Sequence, residues 1–159
     1  MAFIDKINEY KDNIEALQAI DSMEVYRWMI SLGQKLIDDP LSMDGRLPKN
    51  QVSYCQFELY VDWEDDRFKA YSDALIAGGY AYMLLDIFNA SPLDEARQIT
   101  TEHFRAIKMD ELLSMNRTNA FYQMIETMQI RLPAAVGGNP RSEERRGGKE
   151  GTSRGSPET

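Results

Sequence analysis

The chain holds one cysteine, Cys55, and one histidine, His103, so nucleophilic and metal chemistry have few places to reside. A lone cysteine excludes an intramolecular disulfide framework and any cysteine-rich metal site, and His103 is not within metal-ligand spacing of it. Asp62, Glu64, Asp65 and Asp66 could approach a hard cation. They lack the glycine-punctuated calcium-loop pattern and read instead as a solvated hairpin turn. There is no Walker loop and no nucleophile elbow, and Gly78-Gly79 falls inside a helical pattern rather than after a strand. His103, beside Phe104, has no partner singled out to orient it as a base and reads as structural or exposed. Cys55 keeps two readings. A free cysteine can be a small buried hydrophobe. It can also be a thiolate nucleophile, which needs positive charge or a helix N-terminus close by.

The elements that must position Cys55 follow from periodicity. Ile4, Ile7, Tyr10, Ile14, Leu17 and Ile20 recur at helical spacing and predict one or two helical pieces within Phe3–Ile20. Ser22 is the expected N-cap of a second helix, whose stripe is Val25, Trp28, Met29, Leu32 and Leu36 and which closes at Asp38-Asp39-Pro40. A polar connection, Leu41 to Asn50, follows. Val52 to Trp63 is rich in β-favouring residues and reads as a strand with Cys55, Phe57, Leu59, Val61 and Trp63 on its apolar face. Glu64-Asp65-Asp66 is the expected turn, and Arg67 to Tyr71 the returning strand. Ser72-Asp73 reads as the N-terminal cap of an almost wholly apolar helix from Ala74 to about Asn89. Gly78-Gly79 costs that helix about 1 kcal/mol per glycine, which implies a close neighbour. Ser91-Pro92 opens a further helix with Pro92 at its first position, Asp110 caps a short one through Leu113, and Asn116 or Thr118 starts a last one that ends before Pro133. The expected class is α+β: a small antiparallel sheet of two or three strands packed against several helices.

Composition sets the boundaries. The formal net charge of the 159 residues is −8, which argues against a nucleic-acid partner bound by phosphate neutralisation. No apolar run approaches the ~20 residues a bilayer needs, and Asp5 and Lys6 interrupt the N-terminus, so neither a membrane span nor a secretory signal is expected. After Val136 there is no aromatic or large aliphatic residue, and six of the ten glycines lie at or beyond Gly137. Such a segment cannot offset its ordering entropy, so residues 1–136 are the expected domain and 137–159 read as a disordered tail of non-native character. Setting aside residues 139–159, which carry net +1, leaves −9 on residues 1–138.

Four blocks, in order, resemble the SufE/CsdE family of sulfur acceptors. Asn50-Gln51-Val52-Ser53-Tyr54-Cys55-Gln56 is similar to the family's acceptor loop, Asn-x-Val-x-Gly-Cys-Gln-Ser. Tyr26 with Leu32-Gly33-Gln34-Lys35-Leu36 resembles its Leu-Gly-(Gln/Lys)-x-Leu helix. Ser72-Asp73-Ala74 followed by Gly79 resembles its Ser-Asp-Ala block, and Leu113-Ser114-Met115-Asn116-Arg117 with Met124-Ile125 its Leu-(Ser/Thr)-Pro-Ser-Arg block. The likeness runs over roughly residues 20–132. The chain departs from the pattern at Tyr54, where the family has glycine, at Phe57 (serine), Tyr60 (tryptophan), Met115 (proline) and Ala120 (glycine). Tyr54 removes conformational freedom beside the cysteine.

The resemblance implies a SufE/NifU-like fold and a divergent member of the family. It implies that Cys55 accepts persulfide sulfur from a cysteine desulfurase and relays it to an iron–sulfur scaffold complex. The protein would be a carrier and desulfurase activator rather than an independent enzyme. No resident cofactor or metal is implied, since pyridoxal phosphate belongs to the desulfurase. Ser72, Asp73 and Arg117, with Tyr54 and Gln56 beside the cysteine, are the implied partner-binding or positioning residues. The implied location is the cytoplasm, or an organelle stroma or matrix. The alternative is a non-catalytic SufE-like adaptor, for which Tyr54 and Phe57 speak. Deleting residues 139–159 is expected to leave the thermal midpoint unchanged in a calorimetric scan, and a marked drop would show that the tail packs on the domain.

Overall fold

The computed structural model describes residues 1–52 and 57–133. Helix α1 (Ala2–Ile20) is a single piece, and α2 (Ser22–Asp38) follows directly. Two 3-10 turns, Met43–Gly45 and Pro48–Asn50, lead to the hairpin β1 (Leu59–Glu64) and β2 (Arg67–Ser72). The buried helix α3 (Leu75–Asn89) comes next, then the short α4 (Leu93–Ala96), 3-10 turns over Thr101–Ile107 and Met109–Glu111, and α5 (Met115–Arg131). The expected α+β class holds: among the described residues there are two antiparallel strands and an isolated bridge, Gln51 to Tyr60, in place of a third.

The interior is organised around α3. Ala77, Tyr80, Ala81, Leu84 and Ile87 are wholly buried, with α2 and β2 on either side and Phe121 of α5 edge-on to Tyr80 at 5.7 Å. Gly78-Gly79 has the close neighbour that its propensity cost implies. A methyl on Gly79 would land on the Met29 carbonyl oxygen of α2, and one on Gly33 would lie 2.8 Å from the Leu75 carbonyl oxygen. On the sheet, Leu59, Val61, Phe68 and Ala70 face this core, as alternation requires. The hairpin closes on Asp65 (φ 57°) and Asp66 (φ 64°), the left-handed pair of a two-residue turn whose twist suits antiparallel strands. Lys69 steadies it through Asp65 at 3.1 Å. Arg67 and Lys69 both pair with Asp39 at the end of α2, and the Arg67 hydrogen bond holds the Asp39 carboxyl below its ordinary value.

Several expected boundaries move, each for a local reason. Asp21, not Ser22, caps α2: its backbone is extended and its carboxylate accepts from the Met23 N–H at 3.0 Å. Ser114 rather than Asn116 or Thr118 caps α5, accepting from the Arg117 N–H at 3.4 Å, while the Thr118 hydroxyl donates back to the Ser114 carbonyl. Pro92 occupies the N-cap position of α4, and Asp110 lies inside its 3-10 turn, which follows Lys108 in a left-handed conformation. Ser72-Asp73 does not cap α3, which starts at Leu75 behind Ala74. The connection from Leu41 is not simply polar, because Leu41 and Asn50 are both fully buried.

The α2–α3 contact predicts an asymmetry between adjacent glycines. A methyl on Gly78 meets Gly33 Cα at 3.5 Å, an ordinary contact. Gly78→Ala should therefore be neutral or stabilise through helix propensity, by up to about 1 kcal/mol. Gly79→Ala forces the helices apart and should cost about 2 kcal/mol net of that gain, read from urea unfolding midpoints.

Candidate functional site

Cys55, with Ser53, Tyr54 and Gln56, lies outside the described residues, but the chain on both sides of it is held firmly. The Val52 N–H donates to the Leu59 carbonyl at 2.8 Å, and Gln51 bridges Tyr60. This corrects the continuous strand expected over Val52–Trp63. Seven residues of extended chain would separate Val52 from Leu59 by about 23 Å. A hydrogen bond between them requires the chain to leave and return, so β1 begins at Leu59 and the face assigned to Cys55 by alternation does not carry over. Val52 and Leu59 are both buried, which sets the neck of the loop in the apolar interior.

The returning limb explains why Ser72 and Asp73 are unavailable to α3. The Asp73 carboxylate accepts from the Glu58 N–H at 2.8 Å. The Ser72 hydroxyl donates to the Glu58 carbonyl at 2.6 Å and accepts from the Ala74 N–H at 3.1 Å. Residue 58 thus has both backbone groups satisfied by side chains, which is what stops strand pairing one residue short of Leu59. Ser72 is buried while Asp73 is exposed, so one grip is sheltered and the other open to solvent. Phe57 is half-buried and packs on the core, which absorbs the bulk at that position. The outgoing limb is braced from behind: Arg131 of α5 donates to the Lys49 carbonyl at 2.7 Å, and Leu41 N–H to the Ala70 carbonyl at 3.0 Å.

Ser72 and Asp73 are therefore brought to the loop. Arg117 is placed differently: it is exposed on the first turn of α5, and among the described residues no bond links its guanidinium to Ser72 or Asp73. Tyr54 and Gln56 lie outside the described residues. His103 has a structural place. Its Nδ1 accepts from the Thr100 N–H at 3.0 Å in a reciprocal cap, and its ring packs edge-on to Phe3 at 5.1 Å. Among the described residues no group of three His, Cys, Asp or Glu side chains is arranged to hold a metal, and no helix is long and apolar enough to cross a membrane. Asn50, which opens the block that resembles the acceptor loop and to which sequence reasoning assigns no role of its own, is fully buried at the root of the outgoing limb.

The family model described as the SufE Fe-S metabolism associated domain matches residues 11–132, so the chain belongs to that family. An uncharacterised SufE-like protein of Synechocystis sp. is similar to it, 26% identical over 115 residues, which cover 70% of this chain and 71% of that protein. The family is associated with iron–sulfur metabolism, and the departures at Tyr54 and Phe57 make this chain a divergent member.

The grip of Asp73 on Glu58 has a direct readout. Asp73→Ala should remove about 1 kcal/mol of protection, roughly five-fold in the hydrogen-exchange rate of the Glu58 amide, whereas Asp73→Asn, which keeps an acceptor oxygen, should retain most of it.

Proposed function

We infer that the protein accepts sulfur from a cysteine desulfurase onto Cys55 and relays it to iron–sulfur cluster assembly. The observation that carries this reading is that the only cysteine of a SufE-family chain falls in the sequence between Val52 and Leu59, which are hydrogen-bonded to each other. The Cys55 thiolate attacks the terminal sulfur of the persulfide on the desulfurase cysteine. A new sulfur–sulfur bond forms on Cys55 as the old one breaks, and the desulfurase cysteine leaves as its thiolate. The electrons balance within the exchange, so no external oxidant or reductant is needed. An internal resolving thiol would discharge the product, and this chain has none.

Two features support the chemistry. The first-turn N–H groups of α3 follow directly on the pair that holds Glu58, and the N-cap residue, Ala74, has no side chain with which to cap them. A helix N-terminus favours nearby negative charge, including a thiolate. The net charge of −9 over residues 1–138 suits a partner surface of basic character. Asp73 and Arg117, both exposed, are the residues of this surface that we assign to docking and positioning. Pyridoxal phosphate in this scheme is bound by the desulfurase.

The second reading, an adaptor that binds without carrying sulfur, rests on Tyr54 beside the cysteine. One experiment separates the two. Mixed with a SufE-dependent cysteine desulfurase and free cysteine, the protein should gain one sulfur atom, about 32 Da by intact mass, removable by a thiol reductant. Cys55→Ser should abolish the gain. Binding to the desulfurase without an adduct would establish the adaptor instead.

A further inference from the structure

Asn50 stands at the point where the outgoing limb of the loop begins, and it is completely buried. Its Nδ2 donates twice, to the Gly45 carbonyl at 2.7 Å and to Asp62 Oδ2 at 3.2 Å. Asp62 is itself oriented, since its other oxygen accepts from the Trp63 N–H at 2.8 Å. The Asn50 backbone N–H closes its own 3-10 turn on the Leu47 carbonyl at 2.9 Å. One side chain therefore joins the Met43–Gly45 turn, the Pro48–Asn50 turn and β1. The next two residues are already committed, Gln51 to Tyr60 and Val52 to Leu59.

The amide is an awkward choice for stability alone. Its Oδ1 is buried with no hydrogen-bond partner among the described residues, a state that native proteins usually avoid. What the amide supplies is geometry: a planar group with two donors fixes the direction of the chain at Gln51 in a way that an apolar residue of similar shape would not.

We propose that Asn50 is the positioning residue of the acceptor loop, setting through Gly45 and Asp62 the direction in which the chain departs toward Cys55. The role rests on the reading of Cys55 as sulfur acceptor, and Asn50 touches no reacting atom. Its effect falls on presentation of the cysteine rather than on partner affinity.

The test uses the full chain, at a temperature well below its unfolding transition. Two rates are measured for the parent and for Asn50→Ala: alkylation of Cys55 by iodoacetamide, and sulfur uptake from a cysteine desulfurase resolved into kcat and KM. The expected result is a change of at least about three-fold in the alkylation rate and about a ten-fold fall in kcat, with KM for the desulfurase within about two-fold. Asp62→Asn, which preserves an acceptor for the amide, should lie closer to the parent than Asp62→Ala in both rates. A folded Asn50→Ala protein with parental alkylation and parental kcat would overturn the proposal and leave Asn50 a stabilising group only. If Asn50→Ala does not fold, Asp62→Ala, which leaves the Gly45 bond intact, decides by the same two rates. The alkylation arm is independent of sulfur chemistry. A parent that takes up no sulfur therefore refutes the function proposed above, while a changed alkylation rate still upholds the positioning role of Asn50.

Discussion

The backbone of α2 lies against the backbone of α3 where Gly33 meets Leu75, Gly78 and Gly79, and most of the other packing in the fold is referred to that contact. Bringing two helices this close removes side chains from both, at a cost in helix propensity that only tertiary contact can repay. The return is a buried helix whose opposite side is free to receive the sheet and α5. Its N-terminal end is fixed with respect to β2, because only Asp73 and Ala74 separate Ser72 from Leu75. Glu58 is held against this end of the pair by Ser72 and Asp73.

The hairpin converts that rigidity into a frame. Its tight aspartate turn sits at one end and the neck of the loop at the other, with the register running from Glu64 opposite Arg67 to Leu59 opposite Ser72. Since side chains alternate across a strand, one register places Leu59 and Val61 in the core and leaves Asp62 on the other side, where it meets Asn50. A one-residue slip would bury the acidic side and expose the neck. The pairing that secures the core therefore also secures the loop.

Much of this architecture is legible in the residues themselves. The stripe Val25, Met29, Leu32 and Leu36, the apolar run of α3 and the Glu64-Asp65-Asp66 turn each carry a local signal that the fold obeys. What local reasoning misplaces has a common cause. Ser72-Asp73 has the chemistry of a helix cap, but the backbone of Glu58, fourteen residues earlier, claims both side chains, and competition of that kind leaves no mark on a periodicity. Asp21 displaces Ser22, and Ser114 displaces Asn116 and Thr118, because neighbouring residues of equal capping competence are separated only by which one takes the extended backbone. The strand starting at Val52 fails for a different reason: alternation is blind to a reversal in which Val52 and Leu59 become partners. Asn50 stands at the head of the block that resembles the acceptor loop, but its burial is hidden from the sequence because it depends on Asp62 arriving from another element.

The two limbs of the loop are held by groups of opposite character. The outgoing limb ends in a buried amide with several bonds, which water cannot easily replace. The returning limb ends in Glu58, held in part by an exposed carboxylate for which water is a ready substitute. Of these anchors, the Asp73 bond to the Glu58 N–H is the least costly to break and the Asn50 amide the most costly. A hinge at Asn50 would strand a buried donor pair, at a cost of about 1–3 kcal/mol per unsatisfied group, while release at Asp73 returns both groups to solvent. Upstream of residue 53 the anchor is thus the buried amide of Asn50, whereas downstream of residue 56 only the Ser72 bond to the Glu58 carbonyl is sheltered from water.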